Sequence, residues 1–187
     1  MALPEAYPRD EEEMSACLFG ALMELMQTTP IDRLSVSTIT DRAHVSRASF
    51  YRRYRDKYDL LNQSYERILE NTLFTVNSGV SWREAVTRIY RVIGENVRFF
   101  ANALSSAGQN SLRQYICDRS LRLEQELLRH QGVDPESNAV RYRLAAYVAG
   151  GMEVTVTWVR DGAVLPLEEF VDLLMETIPD GLRPYFV

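Results

Sequence analysis

Apolar positions recur along this chain at helical steps, and the gaps between stripes fall at residues that end helices. Met14, Leu18, Leu22, Leu25 and Met26 predict a first helix from about Asp10 to Gln27, closed by Thr28-Thr29-Pro30. Ser35 or Ser37 can cap a short second helix that buries Val36, Ile39, Thr40 and Ala43 at i, i+3, i+4 steps. A tight turn, Ala43-His44-Val45-Ser46, leads into another short helix from Arg47 to about Arg53, with Ser46 as its cap. Phe50 and Tyr54 fall four apart on it and should pack inward with Val45 and Ile39. Leu60, Leu61, Tyr65, Ile68, Leu69 and Leu73 predict a long helix from about Lys57 to Val76, broken at Asn77-Ser78-Gly79. Ser81-Trp82-Arg83-Glu84 has the form of a capping box and opens a helix to about Ala101, with Val86, Ile89, Tyr90, Ile93, Val97 and Phe100 inward. The next runs from near Ser111 to Gly132. Asp134-Pro135 reads as cap and first-turn proline of a helix to about Asp161, closed by Gly162. Pro166 opens the last helix, to about Ile178. No segment alternates with period two and nothing repeats, so the expected fold class is all-α.

Charge changes the picture at one place. The chain has 187 residues, 46% of them hydrophobic, and a formal net charge of −5. That suffices for one core domain and a small appendage. Between Arg42 and Lys57, however, stand six basic residues (Arg42, Arg47, Arg52, Arg53, Arg55, Lys57) against one acid, Asp56, a local balance of +5. An acidic protein that gathers positive charge around one helix pair presents it to something anionic. The plainer alternative is a solvated arginine face. Ala48 and Ser49 are small enough to let the backbone approach a grooved partner, and arginines can bond guanine edges or phosphates bidentately. A first helix crossing the DNA backbone and a second entering the major groove is the helix-turn-helix arrangement.

These residues resemble the TetR (tetracycline-repressor-like) family of bacterial transcription regulators. Val36, Ile39, Ala43, Val45, Ser46, Ser49, Tyr51, Tyr54, Lys57 and Leu60 occupy the steps of its DNA-binding segment over about 30 residues, with Ser49 for the usual Thr and Tyr54 for the usual Phe. The resemblance implies a three-helix helix-turn-helix DNA-binding domain over residues 1–56 and a helical effector-binding and dimerisation domain over 57–187. It implies that Ser37 and Thr38 touch the phosphate backbone. By the same carry-over Arg47, Ala48, Ser49 and Arg52 face bases, and Tyr51 and Lys57 clamp phosphates. Three departures stand out. His44 replaces the turn glycine and must accept a positive φ, which histidine tolerates at modest cost. Ala48 replaces a common glycine harmlessly. The acidic run Asp10-Glu11-Glu12-Glu13 suits a helix N-terminus but repels nearby phosphate, so weaker or more salt-sensitive DNA binding is expected.

The last two helices are apolar on more than one face and need cover on more than one face. A second copy of the chain supplies it, with Tyr147, Gly151, Val154, Trp158, Phe170 and Leu174 as candidate contacts in the four-helix bundle that the family implies; filling of the protomer core is the alternative. The family also implies a small-molecule effector between the linking helix and the later helices. Trp82, Tyr90, Phe99, Phe100, Tyr115, Met152 and Trp158 are candidate lining residues, with Asn96 and Glu153 as polar anchors, although aromatic stripes at helical spacing are more often core. Pairing of Glu153 with an arginine at an interface is the alternative. The C-terminal pattern is loosely similar to regulators of dihydroxyacetone kinase operons, some of which activate with a protein partner. Expected partners are thus a double-stranded DNA operator, a second copy of the chain and an effector of unknown identity. The leading reading is a repressor released by that effector; the alternative is a TetR-fold adaptor acting through a protein partner.

Other chemistry has little foothold. Cys17 and Cys117 read as core in a reducing cytoplasm, two histidines cannot assemble a metal site, and no nucleophile, phosphate loop or cofactor motif is present. No enzyme activity, cofactor or metal is expected. No apolar run reaches roughly 18 residues, so no membrane span is expected either. The opening MALPEAYPRDEEE reads as a short floppy lead.

Overall fold

A computed structural model of the chain describes residues 10–106, 108 and 110–186, and among them it consists of helices and turns with no strand. The lead over residues 1–9 lies outside the described residues. α1 spans Glu11–Leu25, α2 Val36–Arg42, α3 Arg47–Arg53 and α4 Lys57–Asn71. α5 spans Trp82–Glu95, α6 Val97–Ala103, α7 Leu112–His130, α8 Asn138–Arg160 and α9 Leu167–Glu176.

Short polar side chains start most of these helices. Asp10 accepts from the Glu13 amide at 2.8 Å, and Glu11, Glu12 and Glu13 fill the first turn of α1, where the macrodipole favours acids. Ser35, rather than Ser37, caps α2 by accepting from the Thr38 amide at 3.0 Å. Ser46 caps α3 at 3.0 Å from Ser49, and Asp56 caps α4 through the amides of Tyr58 and Asp59. α1 packs on α2 and α4, and Leu18, Leu22, Ile31, Ile39, Phe50 and Leu60 are fully enclosed between them. Tyr54 donates its hydroxyl to Ser15 at 3.0 Å, and Ser15 donates to the Glu11 carbonyl, so α3 is fastened to α1 through a buried relay.

Beyond the head, α5 lies on α9, α7 on α8, and α4 reaches α7. Trp158 of α8 and Phe170 of α9 stack with ring centroids 4.3 Å apart, and Tyr90 of α5 meets Phe170 edge-on at 5.1 Å. Gly94 makes this possible, because a Cβ there would stand 3.1 Å from the Trp158 ring.

Four boundaries differ from the periodicity. The helix expected from Ser81 to Ala101 is two helices, parted at Asn96 (φ −123°, ψ 36°), whose amide donates back to the Val92 carbonyl at 2.9 Å. The linking helix stops at Asn71, not Val76, because Thr72 leaves helical geometry and its hydroxyl bonds the Ile68 carbonyl; a 3₁₀ segment, Leu73–Ser78, continues it. Asp134-Pro135 forms a turn in which Asp134 accepts from the Glu136 amide, and α8 begins only after Ser137. Pro166 sits just ahead of α9 in extended geometry rather than inside it.

Candidate nucleic-acid interface and buried cavity

The turn between α2 and α3 closes with Val45 donating to the Thr40 carbonyl at 2.9 Å, and His44 takes the left-handed conformation at φ 54°. That reversal sends α3 across α2 with Phe50 down and Arg47, Ala48, Tyr51 and Arg52 exposed. Ser49 is half-buried; its hydroxyl accepts from Ser46 and from the Arg52 guanidinium at 3.0 Å, which holds Arg52 along the helix face. Ser37 is half-buried and Thr38 exposed at the start of α2, where Thr38 also shares a hydroxyl bond with Ser35 at 2.8 Å.

The six cations of this region divide into two groups. Arg42 pairs with Glu24 of α1 and Arg53 with Glu11, while Arg55 lies 3.6 Å from Asp59. Lys57 donates to the carbonyls of Asp32 and Leu34 at 2.9 and 2.7 Å. Two of its three N–H groups thus brace the turn ahead of α2, and the third is left for the phosphate contact that the resemblance implies. Among the described residues Arg47 and Arg52 form no ion pair, and both stand on the exposed face of α3.

A cavity of about 90 Å³ opens among α4, α5, α7, α8 and α9. Of the expected lining residues it gathers Trp82, Tyr90 and Met152. Asn96 instead bonds Val92, Phe100 is core against Tyr65, and Trp158 is core against Phe170, with its indole donating to the Leu165 carbonyl at 3.0 Å. Phe99 is likewise core. Glu153 lies on the outer face of α8, where it pairs with Arg113, so it is not an acid inside an apolar helix. Tyr115 donates to Glu66 of α4 at 2.6 Å, outside the cavity; burial and then that bond push its hydroxyl up to about 12.

The acid that does enter the cavity is Glu124 of α7, 3% exposed. Burial holds its carboxyl well above the ordinary glutamate range. Tyr90 donates to or accepts from Thr155 at 2.7 Å beside it, and burial pushes the Tyr90 hydroxyl up to about 12. The spacing of Ile116, Ser120, Leu123, Glu124 and Leu127 at steps of three and four was the available signal for Glu124, since it sets an acid on the inner stripe of α7.

Of the residues expected to meet a second copy, Trp158, Phe170 and Leu174 are 6%, 2% and 4% exposed within one protomer. Their place is the protomer's own core, because α9 folds back over α5 and α8. Tyr147 and Gly151 line the cavity and Val154 is half-buried. The outward face of α8 carries Ala145, Ala146, Ala149, Gly150 and Thr157, all exposed, and Leu173 of α9 is 49% exposed.

An all-α chain that presents a short arginine-bearing helix beyond a tight turn, over a larger helical body with a cavity, is a helix-turn-helix regulator of DNA. Residues 18–63 match the family model for bacterial regulatory proteins of the tetR family, and residues 81–180 match that for a transcriptional regulator C-terminal region. The chain belongs to the TetR family. Three solved structures share the fold. The dihydroxyacetone kinase operon activator DhaS is 17% identical, with 88% of this chain and 96% of that one covered at a TM-score of 0.59. The regulator FadR from Bacillus subtilis, solved with stearoyl-CoA, is 17% identical over 89% and 98% of the chains at 0.60. NalD, the secondary repressor of the MexAB-OprM multidrug efflux pump in Pseudomonas aeruginosa, is 14% identical over 91% and 95% at 0.51. No curated protein sequence matches the chain. Among the described residues no helix is long and apolar enough to cross a membrane.

Proposed function

We propose that the protein is a homodimeric, cytoplasmic TetR-type repressor that leaves its operator when a small molecule fills the cavity bordered by α5, α7 and α8. Arg47 and Arg52 carry this reading, as cations on the exposed face of α3 that form no ion pair among the described residues. In a major groove they read base edges, with Ala48 and Ser49 permitting close approach and Tyr51, Ser37 and Thr38 on phosphates. Glu11 and Glu24 hold Arg53 and Arg42 back from DNA, which supports modest, salt-sensitive affinity.

A route from cavity to head supports the release step. α7 carries Glu124 into the cavity and also carries Tyr115 and Arg119, which both bond Glu66 of α4; the Arg119 Nε contact is 3.0 Å. α4 in turn starts at Lys57, tied to the turn ahead of α2. A ligand that shifts α7 therefore pulls on the helix that carries the reading head, and the spacing of two heads in a dimer changes. FadR, solved with stearoyl-CoA, shows a regulator of this fold accepting a small molecule.

The test is fluorescence anisotropy of the purified protein on its own upstream intergenic DNA, across a salt series with nonspecific competitor. Tight, competitor-resistant binding by two chains per site is expected. Weak, sequence-blind binding would replace the repressor with the protein-partnered adaptor.

A further inference from the structure

We infer that the cavity takes a compact organic monocation, a protonated amine, seated on the Glu124 carboxylate and on the faces of the surrounding aromatic rings. The inference rests on the proposed effector role of this cavity and adds the chemical class of its occupant. Among the described residues Glu124 is the one acid or base of the aspartate, glutamate, lysine, arginine or histidine type on the cavity wall. Its Oε2 is buried with no hydrogen-bond partner, and no arginine of the described residues pairs with it. An acid kept for packing alone would be matched by a donor, as buried polar groups nearly always are. Glu124 also lines an open space of about 90 Å³.

The rest of the wall agrees with a cation. Tyr65, Trp82, Tyr90 and Tyr147 surround the space, and electron-rich ring faces beside a carboxylate are the combination that holds ammonium groups. The groups facing Glu124 are the phenols of Tyr90 on α5 and Tyr147 on α8, with Cys117 and Ser120 on its own helix and Tyr65 on α4. None of them supplies positive charge. A carboxylate ligand would place a second acid beside Glu124 with no base on the wall to balance it, and a neutral alcohol would gain a hydrogen bond without a counter-charge.

In the empty cavity burial pushes the Glu124 carboxyl up and favours its protonated form. When the ammonium enters, the carboxyl O–H proton passes to buffer and an N–H···O⁻ contact replaces it. Amine binding to the protonated form therefore releases a proton.

Isothermal titration of the full-length protein at pH 7 tests this, using benzylamine, benzyl alcohol and benzoate, and the cyclohexylmethyl trio with the same three head groups. Buffers of different ionisation heat report the proton count. The expected result is one amine per chain, bound at least tenfold more tightly than the matching alcohol, with net proton release. Glu124→Gln should remove both the preference and the proton release while circular dichroism stays unchanged; the wild-type proton count stands independently of that variant. Equal affinity for amine and alcohol, no amine binding, or amine binding with no proton release would overturn the inference and leave the cavity to water or another ligand class. The DNA arm separates the two readings. Amine bound with DNA retained overturns the release step and upholds the amine site, whereas DNA release by a non-amine ligand alone does the reverse.

Discussion

Glu124 makes the stability of this protein depend on pH in a direction that can be worked out. Its carboxyl is protonated in the fold well above the ordinary glutamate value, so the native state holds a proton that the unfolded chain has lost. The stabilising contribution is full below the unfolded value near 4.3 and declines by about 1.4 kcal/mol per pH unit until the folded value is passed. Glu124→Gln should abolish that slope and leave a protein more stable than wild type at pH 7, a difference that shrinks toward pH 4. Urea denaturation at several pH values measures it, and equal slopes for the two proteins would remove Glu124 as the source. At the reading head, Arg47→Ala or Arg52→Ala should weaken operator binding by about 1–3 kcal/mol and relax base preference. Lys57→Ala should weaken all DNA sequences alike and also lower the melting temperature, because its ammonium braces the turn ahead of α2. Competition anisotropy on single-base operator variants distinguishes the two behaviours. The roles of single residues were unevenly legible in the sequence. The exposed face of α3 followed from spacing, and the positive φ of His44 from the family resemblance, in which it stands where a turn glycine is usual. The depth of Glu153 and Glu124 was not legible, because an acid's depth depends on which turn of α7 or α8 faces the core, and both helices carry apolar residues on several faces. The bracing contacts of Lys57 were not legible, because its partners are backbone carbonyls, which leave no mark in the side-chain pattern.

Among the helices, starts were more legible than ends. Ser46, Ser81 and Ser111 each accept from the amide three residues on, a bond that the residue type announces. The breaks at Asn96 and Thr72 were hidden, because there a side chain bonds a carbonyl one turn back and competes with the helix without disturbing its apolar stripe. The contact between α4 and α7 was also invisible, since Glu66 and Arg119 are 53 residues apart. That contact carries a prediction of its own. Glu66 is held by Tyr115 and by Arg119, whose guanidinium is kept charged more firmly by that bond. Glu66→Gln keeps the shape but removes the charge, so ligand affinity should stay within about twofold while the effect of ligand on DNA binding falls by about 1 kcal/mol, roughly a fivefold loss of coupling. Titrating ligand against DNA-bound protein, and separately against free protein, checks this. If both numbers change together, the residue acts on the cavity and not on the link.

At the scale of the whole molecule the charge pattern and the small-residue face of α8 point to the same assembly. One head with two unpaired arginines on a chain of net charge −5 is a weak DNA ligand, because only a few phosphates are neutralised and the rest of the surface repels. Two heads on one rigid dimer bind as a unit, and the second contact becomes intramolecular. The face available for pairing is the outward side of α8, where Ala145, Ala146, Ala149 and Gly150 let another helix approach, with Leu173 of α9 beside it. Gly150 offers a clean cut, since a Cβ there would meet nothing within 4 Å inside the protomer. Gly150→Arg adds a long charged side chain to the centre of that face and improves helix propensity by up to about 1 kcal/mol, so the protomer should fold at least as well. Sedimentation should then report a single chain of 21.5 kDa in place of a dimer. Operator affinity should fall about 100-fold or more, since the avidity of two linked heads is worth roughly that factor. Binding to nonspecific DNA by the monomer should change far less, because each head keeps Arg47 and Arg52. A variant that remains dimeric would move the pairing face off α8, and a monomer with undiminished operator affinity would show that one head is enough.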